Sequence, residues 1–172
     1  MKLKSVVLAM ALVIAGLCGN AQEKYNNVHI GLEATPSPGV MASANFNIAR
    51  NMALGPIVRA NFSNYGFLGY SYFESRVGVG VKFDYYFDEL MNSFMNWPSS
   101  VDLYAGGNAG PFFRFRNYSN YIGDPLYTRV GIFANAVVGG RYHFSDSMSV
   151  FAEVIGGAGY ASGIRGGLAF SL

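Results

Sequence analysis

A histidine, a serine and a glutamate in the last third of the chain are of the types that activate a nucleophile. Ser145 follows His143 by two residues, and Glu153 lies further along. A hydroxyl becomes nucleophilic when an adjacent base takes its proton and a third group orients that base. The surrounding pattern places His143 on a strand and Ser145 in the turn after it, so the two side chains do not converge. We therefore predict no catalytic residue here.

The other motifs that could carry chemistry are weak. His29 and His143 have no cysteine partners and no spacing typical of a metal site. The run GGNAG at residues 106–110 resembles a phosphate-binding loop, but no helix follows it. No block of basic residues suggests nucleic acid. The sequence thus predicts no cofactor, no metal and no nucleic-acid partner.

The elements that must position these residues are β-strands. In residues 130–144, VGIFANAVVGGRYHF, every second residue from Val130 to Phe144 is apolar or small, and the residues between them include Asn135, Arg141 and His143. Side chains alternate across a strand, so this segment has one apolar and one polar face. It is far longer than the usual strand of ~5–6 residues. Its length, apolar face and aromatic end are typical of one wall of a membrane barrel.

The same alternation recurs along the chain and predicts eight strands. Aromatic residues fall near the outward ends of these strands, as they do in the two aromatic girdles of a membrane barrel. We predict an all-β fold, namely an eight-stranded antiparallel up-and-down transmembrane β-barrel, with a bulge caused by Pro111 in the fifth strand. The predicted strands are residues 28–34, 40–49, 54–63, 76–86, 101–115, 130–144, 150–160 and 164–172.

Composition and the first residues agree with export to a membrane. The chain is 51% hydrophobic and only 13% charged, against ~25% charged in a typical soluble protein. Lys2 and Lys4 precede a short apolar segment, and residues 19–21 are small enough for cleavage. We predict a Sec-type signal peptide at residues 1–21 and an outer-membrane β-barrel domain at 22–172, with a lipoprotein signal ending at Cys18 as the alternative.

The inward face of the predicted barrel carries many charges. Eight strands leave a lumen just wide enough for side chains, and a buried charge without a partner is costly. We therefore predict an interior polar network that holds the wall rigid, with a gated polar pore as the alternative. Arg141 and Glu153 both point inward only if the turn between their strands has an odd number of residues or contains a bulge. The predicted network consists of Glu33, Arg59, Arg76, Lys82, Asp84, Asp102, Arg141, Glu153 and Arg165, and Arg114 is a further inward charge.

Three segments interrupt the alternation. In residues 87–97, apolar residues recur at helical spacing, which predicts a short amphipathic helix at the membrane surface, with an irregular loop as the alternative. Residues 64–75 and 116–128 are predicted to be long outer loops. Aromatic side chains there suit binding to a protein or glycan, although they could equally extend the girdle. The candidate contacts are Tyr65, Phe67, Tyr70, Tyr72, Tyr118 and Tyr121.

With these strands, girdles and tail, the chain resembles the small outer-membrane β-barrel proteins of the OmpA/OmpX type over about residues 28–172. The tail GGLAFSL at residues 166–172 is similar to the C-terminal signal read by the barrel-assembly machinery, although Leu172 ends it instead of an aromatic residue. The resemblance implies the outer membrane of a Gram-negative bacterium, contact with its lipids and a porin-like, monomeric barrel. It implies a structural envelope role, adhesion or ligand binding through the loops, and no enzymatic activity.

Two other classes of function stay open as alternatives. Barrel-type lipid A deacylases use a histidine, a serine two residues later and a glutamate further on, but they act at the outer leaflet, whereas His143 and Ser145 are predicted at the periplasmic end. A soluble secreted barrel that carries an apolar ligand would have the reverse orientation, with Val79 inside and Lys82 in water.

Overall fold

The chain folds into a closed barrel of eight antiparallel strands, as the sequence predicts. The computed structural model describes residues 25–67, 70–118, 127–158 and 162–172. Each strand pairs with the next, and the last pairs with the first. The predicted signal peptide, residues 1–21, lies outside the described residues. The elements are β1 (Asn27–Ala34), β2 (Gly39–Ala49), β3 (Met52–Phe67), β4 (Tyr70–Tyr86), α1 (Asp88–Phe94), β5 (Val101–Tyr118), β6 (Tyr127–His143), β7 (Met148–Ala158) and β8 (Gly163–Ser171).

The barrel has an apolar outside and a polar inside. On β4, Val79 and Val81 are 41% and 55% exposed, whereas Lys82 and Asp84 are 0% exposed. Because successive side chains point to opposite faces of a strand, the other described side chains of β4 alternate in the same way between the outer and the inner face. The orientation required by a soluble carrier of apolar ligands, with the valines inside, is therefore not the one adopted.

The strands are staggered around the barrel. From Glu33 on β1, successive paired residues lead through β8 and β7 to Gly139 on β6. In the other direction they lead through β2, β3, β4 and β5 to Arg129 on the same strand. The two paths together make one circuit of the barrel, and they end ten residues apart on β6, at positions 139 and 129. Such an offset requires the strands to be tilted from the barrel axis.

We call the end that holds the start of β1 and the end of β8 the terminal end, and the opposite end the distal end. At the terminal end, Arg50 and Asn51 turn the chain from β2 into β3, with Asn51 in the left-handed region at φ 62°. His143 pairs with Ser149 across the turn from β6 to β7, so an odd number of residues separates them. Arg141 and Glu153 consequently share the inward face.

The predicted long loops are shorter than expected. β3 continues to Phe67 and β4 begins at Tyr70, and these two residues pair, so most of residues 64–75 is hairpin. Residues 116–118 and 127–128 also belong to strands. The ladder continues because inter-strand hydrogen bonds need no apolar side chain and because tyrosine and phenylalanine favour strands. Tyr65, Phe67, Tyr70, Tyr72 and Tyr118 thus lie in strands, and Tyr121 lies outside the described residues.

Pro111 does not cause the predicted bulge. The pairs Gly78–Phe112 and Val81–Ala109 share one register between β4 and β5, so no extra residue is inserted. On its other side, Pro111 pairs with Ile132 in an unbroken ladder. Since proline lacks only its N–H, it interrupts the ladder toward one neighbour and leaves the register unchanged.

The predicted helix is present as α1, between β4 and β5 at the terminal end. Its first residue, Asp88, is buried, and one carboxylate oxygen accepts a hydrogen bond from the Leu103 amide at 3.2 Å. The apolar residues Leu90 and Phe94 are exposed, Phe94 to 78%. Among the described residues, no helix is long and apolar enough to cross a membrane. Contact of α1 with a membrane surface stays a prediction.

The inward glycines leave room for the side chains that fill the barrel, and a substitution of Gly139 tests this packing. A Cβ atom there would lie 2.6 Å from Glu153 Cγ and 3.0 Å from Tyr104 Cε2. We expect Gly139→Ala to lower the free energy of unfolding by about 1–3 kcal/mol through overpacking. Urea unfolding of the refolded protein in detergent measures the change. The matched control is Gly156→Ala, because a Cβ at Gly156 meets nothing within 4 Å; equal losses in the two variants would contradict the packing.

Candidate functional site

The structure places the nine predicted network residues on the inward side of the barrel. Eight of them are at most 3% exposed, and the side chain of the ninth, Arg76, is 11% exposed. Four of the eight are acidic and four are basic, so their formal charges balance. The eight are Glu33, Arg59, Lys82, Asp84, Asp102, Arg141, Glu153 and Arg165.

Glu153 on β7 is the centre of the network. Its Oε1 accepts hydrogen bonds from Lys82 Nζ and from the Tyr104 hydroxyl, both at 2.8 Å. Its Oε2 accepts from Arg165 Nε. Because β4 and β7 are not neighbours in the barrel, the bond from Lys82 to Glu153 crosses the lumen. A single carboxylate thus joins the β4–β5 side of the wall to the β7–β8 side.

Glu33 on β1 is the second centre. Arg59 Nη2 and Asn61 Nδ2 donate to its Oε2 at 2.7 and 2.8 Å. Arg165 Nη1 lies 3.5 Å from the other oxygen, so Arg165 bridges Glu33 and Glu153. This bridge joins the two centres into one network that reaches from β3 through β1 and β8 to β7.

Lys82 extends the network to a further carboxylate. Its Nζ lies 2.8 Å from Asp84 Oδ2, and the same oxygen accepts a hydrogen bond from Asn45 Nδ2 at 2.7 Å. Lys82 therefore has two carboxylate partners. A buried ammonium group needs such compensation, because the charge has lost its water.

Aromatic side chains close the terminal end around a further ion pair. Tyr25 stacks on Tyr86 with ring centroids 3.9 Å apart, and both are buried. Beside them, Asp102 Oδ2 accepts from Arg141 Nε at 2.9 Å and lies 2.7 Å from His143 Nε2. Ring packing and charge pairing therefore fill the lumen here together.

Phenylalanine rings occupy the middle of the lumen, which the sequence reasoning did not foresee. Phe133 is 0% exposed, and the Arg59 guanidinium lies 5.5 Å from its ring centroid. Phe151 stacks on the His29 ring with centroids 4.6 Å apart. Alternation placed these residues inside, but it did not show that the rings would form an apolar layer between the charges.

The geometry of His143, Ser145 and Glu153 opposes a nucleophilic site. His143 contacts Asp102, and Glu153 is bound to Lys82 and Arg165. Ser145 is exposed in the turn, and its hydroxyl accepts a hydrogen bond from the Met148 amide at 3.1 Å. The serine therefore has no base aligned on it in the described part of the chain, and the arrangement is structural.

Glu74 is an inward residue that the sequence prediction missed. It is 1% exposed, and its carboxylate contacts three arginines, Arg76, Arg114 and Arg116. Arg116 Nε donates to Oε2 at 2.6 Å. Residue 74 fell in a predicted loop, although stepping back two residues from Arg76 along the alternation reaches it. We call Glu74 and its three arginines the distal cluster.

Comparisons with known proteins find likeness in fold only. No protein-family model and no curated protein matches the chain. Solved structures that resemble it include the N-terminal β-barrel domain of Pseudomonas aeruginosa OprF, with 15% identity over 84% of this chain and 94% of that one and a TM-score of 0.49. Neisserial surface protein A is 12% identical over 85% and 94%, also with a TM-score of 0.49.

A third similar structure is Ail, the attachment invasion locus protein of Yersinia pestis, in complex with the heparin analogue sucrose octasulfate. It is 9% identical over 84% of this chain and 94% of that one, with a TM-score of 0.49. At these identities and TM-scores, the likenesses carry no inference about ligand, partner or activity.

Removal of the Glu153 charge tests the network. Glu153→Gln keeps the shape of the side chain but leaves Lys82 and Arg165 with one carboxylate fewer between them. We expect the free energy of unfolding to fall by about 3–5 kcal/mol, as when one partner of a buried pair is lost. Urea titration followed by gel mobility without boiling measures it.

The matched control is Glu89→Gln, because Glu89 pairs with Arg50 at the surface, where side chains are 45% and 76% exposed. We expect the control to change the free energy of unfolding by less than about 1 kcal/mol. A Glu153 variant as stable as the control would show that the network does not hold the barrel together.

Proposed function

We propose that the protein is an outer-membrane β-barrel protein with a structural role in the envelope of a Gram-negative bacterium. The observation that carries this proposal is the inverted distribution of side chains, with charges inside and large aliphatic residues outside. Water is a poor solvent for such an exterior, whereas the hydrocarbon of a bilayer matches it. Closure of the sheet also pairs each strand with two neighbours, which supplies the internal backbone hydrogen bonds that the bilayer interior requires.

The extent of the apolar exterior supports this placement. Soluble monomers rarely expose contiguous apolar patches larger than a few hundred Å². Here strongly exposed aliphatic side chains lie on strands around the barrel: Ile30, Leu32, Val81, Ile132, Val138, Val154 and Ile164, each between 55% and 76% exposed.

The packed interior supports a structural role more than transport or catalysis. The ion pair between Lys82 and Glu153 crosses the lumen, and aromatic rings fill the space beside it. Contacts among the described side chains therefore support the wall from inside. A pore would need a continuous water path, and a deacylase would need an aligned serine and histidine. The interior polar network accordingly serves to hold the wall rigid.

The distal end is the part suited to binding an extracellular protein or glycan. β3, β4, β5 and β6 have 16 to 18 residues each, whereas β1, β2, β7 and β8 have 8 to 11. The longer strands project one half of the wall beyond the other. Adhesion or ligand binding would use this raised half, which includes the strand residues 64–67, 70–75, 116–118 and 127–128.

Export and assembly complete the proposal. A Sec-type signal at residues 1–21 would direct the chain across the inner membrane. The barrel-assembly machinery would then read the C-terminal strand, β8, which closes the barrel by pairing with β1. We propose a monomer in contact with outer-membrane lipids, since one chain closes its own sheet and pairs each strand with two neighbours.

Fractionation of the cell envelope tests the placement. We expect the protein in the outer-membrane fraction and, after detergent extraction, a different gel mobility with and without boiling, because a closed barrel unfolds slowly. Recovery in the soluble periplasmic fraction, with no mobility shift, would overturn the proposal.

A charge on the outer face tests contact with lipid. We expect Val81→Arg to lower the free energy of unfolding in liposomes by about 2–4 kcal/mol, because an arginine on the lipid face is costly near the bilayer midplane. The control is Ser145→Arg in the exposed turn, which should change little. If Val81→Arg is equally harmless, the exposed valines do not face lipid.

A further inference from the structure

We propose that the distal cluster, together with Arg129, forms a binding site for a tetrahedral oxyanion, a phosphate or sulfate group carried by a soluble molecule. The proposal deepens the role proposed for the distal end by naming the chemistry of its ligand. It rests on that role only for the statement that the ligand comes from outside the cell.

The pairing register brings the arginines together. Arg76 on β4 pairs with Arg114 on β5, and Arg114 pairs with Arg129 on β6. Glu74 pairs with Arg116, two residues further along each strand toward the distal end. Paired residues on neighbouring strands have Cβ atoms ~4.5–5.5 Å apart on the same face. Three adjacent strands therefore present guanidinium groups side by side on the inward face.

The charge of this group is not balanced within the described residues that form it. Four guanidinium groups accompany one carboxylate, whereas the eight buried charges nearer the terminal end are evenly matched. Like charges placed directly opposite each other across strands destabilise a sheet. A row of three paired arginines is thus unfavourable for stability alone, and an anion bound among them would offset their repulsion.

The side chains are accessible from the distal mouth but are held in place. The side chains of Arg76, Arg114 and Arg116 are 11%, 18% and 28% exposed, and Arg129 is also exposed, whereas Glu74 is buried. Glu74 contacts three arginines with its two oxygens and so orients them. Orientation before binding lowers the entropic cost of association.

Guanidinium chemistry indicates the class of ligand. Arginine presents a planar fork of donors that matches the oxygens of phosphate and sulfate, and bidentate pairs of this kind are among the strongest hydrogen bonds. Several forks around one point suit a tetrahedral anion with oxygens in several directions.

The direction of access indicates the source of the ligand. All of these residues occupy inward-facing positions, so their own strands, β4, β5 and β6, separate them from the lipid headgroups on the outer side of those strands. A ligand reaches them through the distal mouth, from solution. This favours a phosphorylated or sulfated soluble molecule, such as a sugar ester, over a membrane lipid.

Calorimetric titration of the refolded full-length barrel in zwitterionic detergent tests the proposal. Tripolyphosphate is the first probe, and we expect saturable one-to-one binding that weakens as salt is added, because counterions compete. Glucose 6-phosphate and glucose 6-sulfate at equal ionic strength then distinguish the two esters. Tighter binding of one sugar ester shows whether the site prefers phosphate or sulfate. Absence of saturable binding by all three probes would overturn the proposal.

Matched variants separate a site from a general charge effect. The double variant Arg114→Gln and Arg129→Gln should weaken tripolyphosphate binding by at least about tenfold, as expected for lost charge-assisted hydrogen bonds. The control Arg50→Gln removes an exposed guanidinium group at the terminal end, away from the cluster, and should leave binding unchanged. An equal loss in this control would overturn the proposal.

The variant Glu74→Gln should change the affinity for tripolyphosphate in the opposite direction. It removes the competing negative charge, while the amide oxygen of glutamine still accepts hydrogen bonds that orient the arginines, so we expect tighter binding, whereas a purely structural cluster would show no gain. Gel mobility without boiling confirms that each variant is folded. Binding in detergent does not depend on where the cell places the protein, so failure here and failure of fractionation are distinguishable.

Discussion

Each charge inside an eight-stranded barrel has to find a partner within a lumen only about as wide as the side chains themselves. The rest of the interior follows from this constraint. Glu153 and Lys82 are 71 residues apart in sequence, yet their charges meet because neither can reach bulk water. Such contacts tie strands that share no ladder, so the backbone and the side-chain network brace the barrel independently.

The same lack of space explains how glycines and rings are combined. A Cβ atom on Gly78 would lie 3.0 Å from the Phe133 ring and 3.2 Å from Arg59 Cγ. The glycine therefore provides the room in which an aromatic ring and a guanidinium stem lie one over the other. Glycine weakens a strand in isolation, but here the loss is offset by the filling of a lumen that would otherwise contain voids.

Much of the fold could be predicted from the sequence because a period of two residues is a strong signal when one face meets lipid-like surroundings. Alternation along β4 places Lys82 and Asp84 inside without any knowledge of their partners. It could not show where strands end, because the ladder continues past the apolar residues, and this hid Glu74 in a predicted loop. The sequence also could not show which inward charges contact each other, since these contacts depend on the stagger between strands. That stagger is why Glu33 meets Arg59, two strands away, as well as its ladder neighbour.

The interior thus has two zones with different charge, and the difference follows from access to water. Near the terminal end and in the middle, buried charges must cancel, because an excess charge there would have no solvent. Toward the distal mouth, where Arg114 is partly exposed, the described residues of the distal cluster and Arg129 comprise four guanidinium groups and one carboxylate, a surplus of positive charge. A surplus at a concave mouth attracts anions from solution and raises their local concentration. The zone that contributes least to bracing the barrel is therefore the zone best able to bind.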